Sequence, residues 1–568
     1  MPNYGILDTA EKVELLIDRL LAEDDPIVID IESGYTGPDQ EGIAVLPFHP
    51  NWIIAGISLT NSEDWARYFP INHDGIQNVE PVQAARAVWK LVRSGRTIAH
   101  NASFELNGIA RWLRDVLWHD EIYAAAIRDT LGYFPVFSDT MFEAFYMGEY
   151  DPLRVGVGLK GLTKHIFGYE QAEIQSLFTD LPKNKMKFLR FNTRDPYDPK
   201  VTEYVCDDVT RALALHRKHY HELEKNFAFK TDIALLPIVG EMEYHGVLLD
   251  WSQYDGAIER TKNFQEQWNE QIQQYLSERL ERPVAVNLAS PQQVAKVLYD
   301  KEEGLGLPEQ KDRKTGQTST SVKALEGIKN RDPVIKKILQ YREIGALLSR
   351  YLVKYVNQLH YDPKGYAHPN HKQIGTITGR FSVDGFSYQQ LPKSYDYQLD
   401  NGERFHLGYK DFVISPEDYR IVGYDYANVE LRFIAGLAGE TDMIQAFVDG
   451  EDIHKSTASA ALNVPIDEVT GEDRQKGKGI NFAIVFQSGV AALAQTLGMT
   501  VPEAQDLLDA YFARFPKLRA WMDSVVAEAH STGKVENYFG YKARIWEFMS
   551  TAKNVVAKGE RLSVNAPV

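Results

Sequence analysis

Asp30 and Glu32 stand two residues apart at the end of an apolar run, PIVIDIES, residues 26–33. In an extended strand alternate side chains share a face, so the two carboxylates can hold one divalent ion. A lone Asp-x-Glu at a strand end can equally be a sheet edge meeting solvent. Two further pairs add weight to the chemical reading. Asn101 and Glu105 in HNASFEL, and Tyr204 and Asp208 in YVCDDVT, are each four apart on helical patterns and so share a face. Asp207, beside Asp208, reads as a surface acid. Carboxylates gathered this way suit two divalent ions ~3.5–4 Å apart, which activate water and stabilise the leaving oxygen of a phosphodiester.

A second constellation lies in DRQKGKGINFAIVF, residues 473–486, where Arg474, Lys478, Phe482 and Phe486 follow one another at steps of four. Two cations and two aromatics then line one strip of a helix. Core packing of the two Phe residues would give the same stripe. Gly477 and Gly479 argue for more, because each costs about 1 kcal/mol relative to Ala inside a helix. Close approach to a ligand, or a need to move, would explain them. Upstream, VGYDYANVELRFIAGLAG puts Asp425 at the end of a strand-like segment and Glu430 at the opening of a helix. His454 in GEDIHKSTA is a lone histidine, a type that more often packs than reacts.

DIES, HNASFE and YVCDD, in this order and at these separations, resemble the three exonuclease motifs of the proofreading domain of family A DNA polymerases. The resemblance implies that Asp30, Glu32 and Asp208 bind two metals and that Tyr204 positions the attacking water. Glu105 stands where Asp is commoner, and its longer side chain could still reach the second metal, directly or through water. Residues 473–486 resemble motif B of the same family, in which Arg474 and Lys478 would hold the triphosphate and Phe482 would stack on the incoming nucleotide. Phe at 482 resembles members that discriminate against nucleotides lacking a 3′-hydroxyl. Phe486 and Gln487 stand where Tyr-Gly is commoner, which bears on template-base positioning. The segment around Asp425 resembles motif A, with Asp425 binding both catalytic metals and Glu430 blocking a ribose 2′-hydroxyl. His454 matches a triphosphate contact. TGRFS and YQQLP resemble segments near the primer terminus, with Arg380 on the terminus and Gln389 and Gln390 beside it. ERLSVNAPV resembles a segment reading the minor groove through Arg561 and Asn565. EMEYHGVLLD, NLASPQQV and KTGQTSTS resemble the start of the polymerase, the thumb and its tip, so the resemblance spans nearly the whole chain from about residue 25.

The family implies Mg2+ or Mn2+, two ions per active site, with primer-template DNA and deoxynucleoside triphosphates as partners. Family members continue past NAPV to motif C, a His-Asp-Glu hairpin bearing the second metal-binding carboxylate, whereas the sequence given stops at Val568. Three explanations follow from that: a split polymerase whose second polypeptide supplies motif C, a truncated product, or a stand-alone 3′–5′ exonuclease with a vestigial DNA-binding polymerase region. The first is favoured, with a phage source and the host bacterial cytoplasm as the setting. A DNA-binding module without catalysis would leave three separate metal-site motifs unexplained.

These groups need elements to carry them. Residues 26–31 and 52–59 read as strands and residues 81–92, 104–117 and 202–223 as helices, an alternation that predicts an α/β domain ending near residue 225. Residues 229–280 are mostly helical around a turn and short strand at 244–250, and helices resume over 333–358. A polar loop over 362–384 precedes a strand-like stretch at 419–424 and a helical remainder. The expected architecture is a ribonuclease H-like α/β exonuclease domain (1–225), then a mainly α, right-hand-shaped polymerase domain. The latter divides into its start and thumb (226–360), a partial palm (361–435) and fingers (436–568). A formal charge of −17 excludes a protein that coats nucleic acid over its whole surface, since phosphate binding rests on Lys and Arg. One cysteine, Cys206, forms no internal disulfide. The amino terminus lacks the pattern of a secretion signal and no apolar run is long enough to span a membrane, so a soluble protein is expected.

Overall fold

The computed structural model describes residues 2–36, 47–148, 156–180, 190–312, 315–354, 362–392, 394–399, 401–485, 487 and 489–568. Its first region runs β1 (Asn3–Ile6), α1 (Ala10–Ala22), β2 (Ile27–Tyr35), β3 (Trp52–Ser62), β4 (Trp65–Pro70), α2 (Pro81–Arg93), β5 (Thr97–Ala99), α3 (Ala102–Leu117), α4 (Ala124–Thr130), β6 (Ser138–Asp139), α5 (Thr140–Met147), α6 (Leu159–Phe167) and α7 (Pro199–Leu223). The strands form one six-stranded sheet in the order β1-β4-β3-β2-β5-β6. β3 is antiparallel to β2 and β4, whereas β5 and β6 run parallel to β2 and to each other.

β-branched residues fill β2 because it is buried on both faces. Ile27, Ile29 and Ile31 enter the larger core with α1, α2 and α3, and Val28 joins Tyr204, Val205 and Val209 of α7 in the core on the other face. Alternation therefore turns Asp30 and Glu32 toward α7, the helix that carries Tyr204 and Asp208. Asp198 caps α7 by accepting from the Lys200 amide, and Pro199 starts the helix where no amide donor is needed.

α8 (Phe227–His245) and α9 (Trp251–Arg279) follow. A second core gathers residues of α9, the helix Pro333–Leu347 and the ribbon Tyr395–Gln398 with Arg404–Leu407. That helix runs on as a π-helical turn, Leu348–Val353, and the rest of the 333–358 expectation lies outside the described residues. The expected polar loop over 362–384 contains three short strands, Tyr366–Ala367, Asn370–Lys372 and Ser382–Asp384, the last two paired. A third core joins the helices Val429–Ala438, Ile453–Leu462, Gly471–Val485, Val501–Arg514 and Pro516–Thr532. The chain then folds back on the first region: Ala529, Val535, Tyr541, Ala543, Ile545 and Ala566 lie in the larger core, and Tyr541 stacks on Phe145 of α5 at 5.5 Å. Among the described residues no helix is long and apolar enough to cross a membrane.

The strand expected at 419–424 is absent. Residues 413–426 hold no paired strand beyond the single bridge of Val413 to Leu249, and Tyr419, Ile421, Val422 and Tyr424 are 72%, 67%, 64% and 93% exposed. β-branched and aromatic residues favour a strand only where a neighbour supplies the ladder and a face to pack on. Neither is present here among the described residues.

Candidate active site

One group of three metal-ligating side chains occurs among the described residues: Asp30, Glu32 and Asp208, whose carboxylate oxygens lie within 4.8 Å of one another. β2 supplies the first two on one face, and α7 crosses that face to supply the third. Burial, then the charge of Asp208, pushes the Asp30 carboxyl far up. Burial, then Asp30 and Asp208, does the same to Glu32. Asp208 is pushed up to about 7 by burial, against the pull of Lys160 and of a hydrogen bond from Gln171. Acids that repel one another in a dry setting hold a divalent cation well, because its charge removes the repulsion and its preference is for oxygen.

Glu105 joins them from α3. β5 pairs with β2 in parallel and delivers the first turn of α3 beside the acids. Glu105 is 6% exposed, its Oε2 has no hydrogen-bond partner, and burial followed by Asp30 pushes its carboxyl up. An orphaned buried carboxylate oxygen next to three acids fits a cation. Tyr204, 8% exposed and one turn before Asp208, has its hydroxyl pKa raised by burial and by Glu32, Asp208 and Asp30, so it stays protonated.

Asp139 was missed by motif reading. It is fully buried and accepts from the amides of Asn101, Ala102 and Met141 at 3.1, 2.7 and 2.7 Å, tying the start of α3 to the start of α5. Asn101 takes a left-handed φ of 70° there, which Asn tolerates better than most residues. Asp207 is not a surface acid. It is 5% exposed and accepts from Arg211 Nε at 3.1 Å and from the Tyr4 hydroxyl at 3.2 Å. Its position on α7 points it at β1 rather than outward, which residue type alone could not reveal.

The second constellation lies on the helix Gly471–Val485. Arg474 pairs with Asp452 at 2.5 Å, and Lys478 Nζ lies 5.6 Å from the centre of the Phe482 ring, which is 48% exposed. His454 is buried and shares a 2.9 Å hydrogen bond with Asn481 of the same helix; burial, then Arg474, lowers its pKa, which keeps it neutral. At Gly477 a Cβ would lie 2.1 Å from the His454 carbonyl oxygen and 2.9 Å from the Ala458 nitrogen, so the glycine lets two helices touch. Phe486 lies outside the described residues, and Gln487 donates to the Ile484 carbonyl.

Glu430 opens the helix Val429–Ala438 and accepts from Arg380 at 3.1 Å, which joins the segments that resemble motif A and the primer contact. Asp425 is exposed and outside the three-acid group. Gln389 and Gln390 are exposed on a 3-10 turn, Tyr388–Gln390. Arg561 and Asn565 lie one turn apart on the helix Lys553–Asn565.

The chain is similar to DNA polymerase I of Thermus aquaticus, with 35% identity over 284 residues, 50% of this chain and 33% of that protein. DNA polymerase I of Pseudomonas aeruginosa is 27% identical over 527 residues, 91% of this chain and 53% of the relative. That of Bacillus subtilis is 31% identical over 380 residues, 66% of this chain and 41% of the relative. The chain thus spans between a third and about half the length of these curated relatives. Among solved structures, the POL domain of Pol1 from M. smegmatis, in complex with DNA primer-template and dNTP, shares the fold with a TM-score of 0.69. That match has 20% identity and covers 99% of this chain and 85% of the other. The family model for DNA polymerase family A matches residues 258–568, more than half of the sequence, and the chain belongs to that family.

Proposed function

We propose that the chain combines template-directed DNA synthesis with 3′–5′ proofreading, both by two-metal phosphoryl transfer. The observation that carries the nuclease is the group of Asp30, Glu32 and Asp208, joined by the orphaned Glu105 carboxylate. A mixed sheet with one antiparallel strand beside the central acid-bearing strand supports a ribonuclease H-like reading of that region. Divalent ions, when bound, would supply the activation of water and the stabilisation of the leaving oxygen. Asp30, Glu32 and Asp208 would hold them. The protonated Tyr204 hydroxyl orients the nucleophile.

Family membership supports the synthetic half. Arg474 and Lys478 supply cations for a triphosphate and the exposed Phe482 ring supplies a stacking face, as phosphoryl transfer needs positioning and charge neutralisation above all. Arg474 exchanges Asp452 for the phosphates on nucleotide binding. Glu430, held by Arg380, would exclude a ribose 2′-hydroxyl. Asp425 is the metal-binding acid of this site, and the preferred ion at both sites is Mg2+. The relatives lend no support to a second polypeptide or a phage source.

The test uses single-stranded and primed DNA with Mg2+. Asp30→Ala and Asp208→Ala should each cut release of 3′ nucleotides by about a thousand-fold or more, since each removes a ligand of the ions. DNA binding should persist in both, and Asp425→Ala should leave 3′ degradation intact. Undiminished 3′ degradation by Asp208→Ala would refute the nuclease assignment.

A further inference from the structure

α6 and the loop behind it build a wall beside the acids that no motif marks. Gln171 donates from Nε2 to Asp208 Oδ1 at 2.7 Å. Its own Oε1 accepts from the hydroxyl of Thr163 at 2.8 Å, and Thr163 is fully buried on α6. A flipped amide would set its oxygen against the carboxylate, so the two bonds fix one orientation of Gln171 and with it one rotamer of Asp208. The bond occupies one Asp208 oxygen, and the carboxylate keeps its second oxygen for an ion.

Lys160, one turn before Thr163, is pinned on the same wall. Its Nζ donates to the Ala172 carbonyl at 2.6 Å and lies 3.6 Å from Glu173 Oε2. The same nitrogen is 4.6 Å from the centre of the Tyr204 ring. A cation over the face of a buried ring helps hold that ring in place.

We infer that Gln171 and Lys160 are positioning residues of the nuclease site: Gln171, locked by Thr163, presents the Asp208 carboxylate to a divalent ion, and Lys160 holds the Tyr204 ring. The inference rests on the nuclease reading above. Partners that orient metal ligands are worth about 10–100-fold in metal affinity or activity when removed.

The experiment uses the full chain and two readouts, Mn2+ binding without DNA, followed by the electron paramagnetic resonance of free Mn2+, and steady-state release of 3′ nucleotides. Gln171→Ala should weaken Mn2+ binding about 10-fold, with kcat restored to near wild type at saturating Mn2+. Thr163→Val keeps the Gln171 side chain, removes its lock and should move Mn2+ affinity in the same direction; it serves if Gln171→Ala does not fold. Lys160→Met should lower kcat about 10-fold with KM for DNA unchanged, and Lys160→Arg, which keeps the cation over the ring, should recover most of it. Wild-type Mn2+ affinity in both Gln171→Ala and Thr163→Val overturns the role of Gln171. Equal kcat in Lys160→Met and wild type overturns that of Lys160. A chain whose Mn2+ affinity falls in Gln171→Ala yet which releases no 3′ nucleotide even as wild type fails the nuclease reading while supporting the metal-positioning role.

Discussion

If Asp208 holds a divalent ion as proposed, protons and ions compete for it. Its carboxyl is raised from 3.8 to about 7, chiefly by burial, and Asp30, Glu32 and Glu105 are raised as well. A carboxyl whose folded value is raised stabilises the fold below its unfolded value and loses that contribution as pH rises through the folded value. For Asp208 the window runs from 3.8 to about 7. Without ions the chain therefore becomes less stable as pH climbs through this range, and a divalent ion bound to the ionised acids would offset the loss. The Tm gain on adding Mg2+ should be larger at about pH 8 than at about pH 5, and 3′ degradation should fall as pH drops through about 7. Equal Tm gains at both pH values would contradict the assignment.

At the scale of elements, two glycines in one helix have different work. A Cβ on Gly477 would strike backbone of the helix Ile453–Leu462, whereas one on Gly479 would press on the side-chain end of Leu497 at 2.7 Å. Gly477→Ala should cost about 1–3 kcal/mol through forced separation of the helices and weaken nucleotide binding by displacing His454. Gly479→Ala should be tolerated better, because a gain of about 1 kcal/mol in helix propensity offsets the shift of a side chain. Urea unfolding and nucleotide titration of the pair check the contrast; equal losses would contradict it. Asp139 is the corresponding device at α3 and α5. Asp139→Ala leaves the amides of Asn101, Ala102 and Met141 without their acceptor and should cost about 3 kcal/mol, with a loss of 3′ degradation as the turn bearing Glu105 loosens.

Across the whole molecule the two halves are joined by a buried polar link. Glu243 of α8 is 1% exposed and accepts from Asn107 of α3 at 2.6 Å and from the His371 amide at 2.5 Å. His371 Nε2 lies 2.8 Å from the Tyr388 hydroxyl, in the segment that resembles a primer contact. The helix carrying Glu105 is thereby tied to the neighbourhood of Gln389 and Gln390. Glu243→Ala strands two buried donors at about 1–3 kcal/mol each. Calorimetry should show a lower Tm for the variant than for the wild type, since the two donors stay buried without an acceptor. An unchanged Tm would show that the link contributes nothing to stability.

Much of this protein was legible in residue types and short spacings. β2 and β3 were readable as short β-branched apolar runs and α2, α3 and α7 by their helical period, and Asp30, Glu32, Tyr204 and Asp208 were readable because pairs two or four apart share a face whatever surrounds them. The strand expected at 419–424 failed because strand formation depends on a partner, which composition cannot supply. Asp139, Lys160, Gln171 and Glu243 were invisible for a related reason. Each acts on a residue far along the chain, 37 positions between Gln171 and Asp208 and 136 between Asn107 and Glu243, and no local period records such a meeting. The sequence by itself determined which groups could bind metal and nucleotide, since charge and donor type belong to the residue. Only the tertiary structure decided which of them meet, because burial, mutual repulsion and hydrogen-bond partners are properties of packed elements.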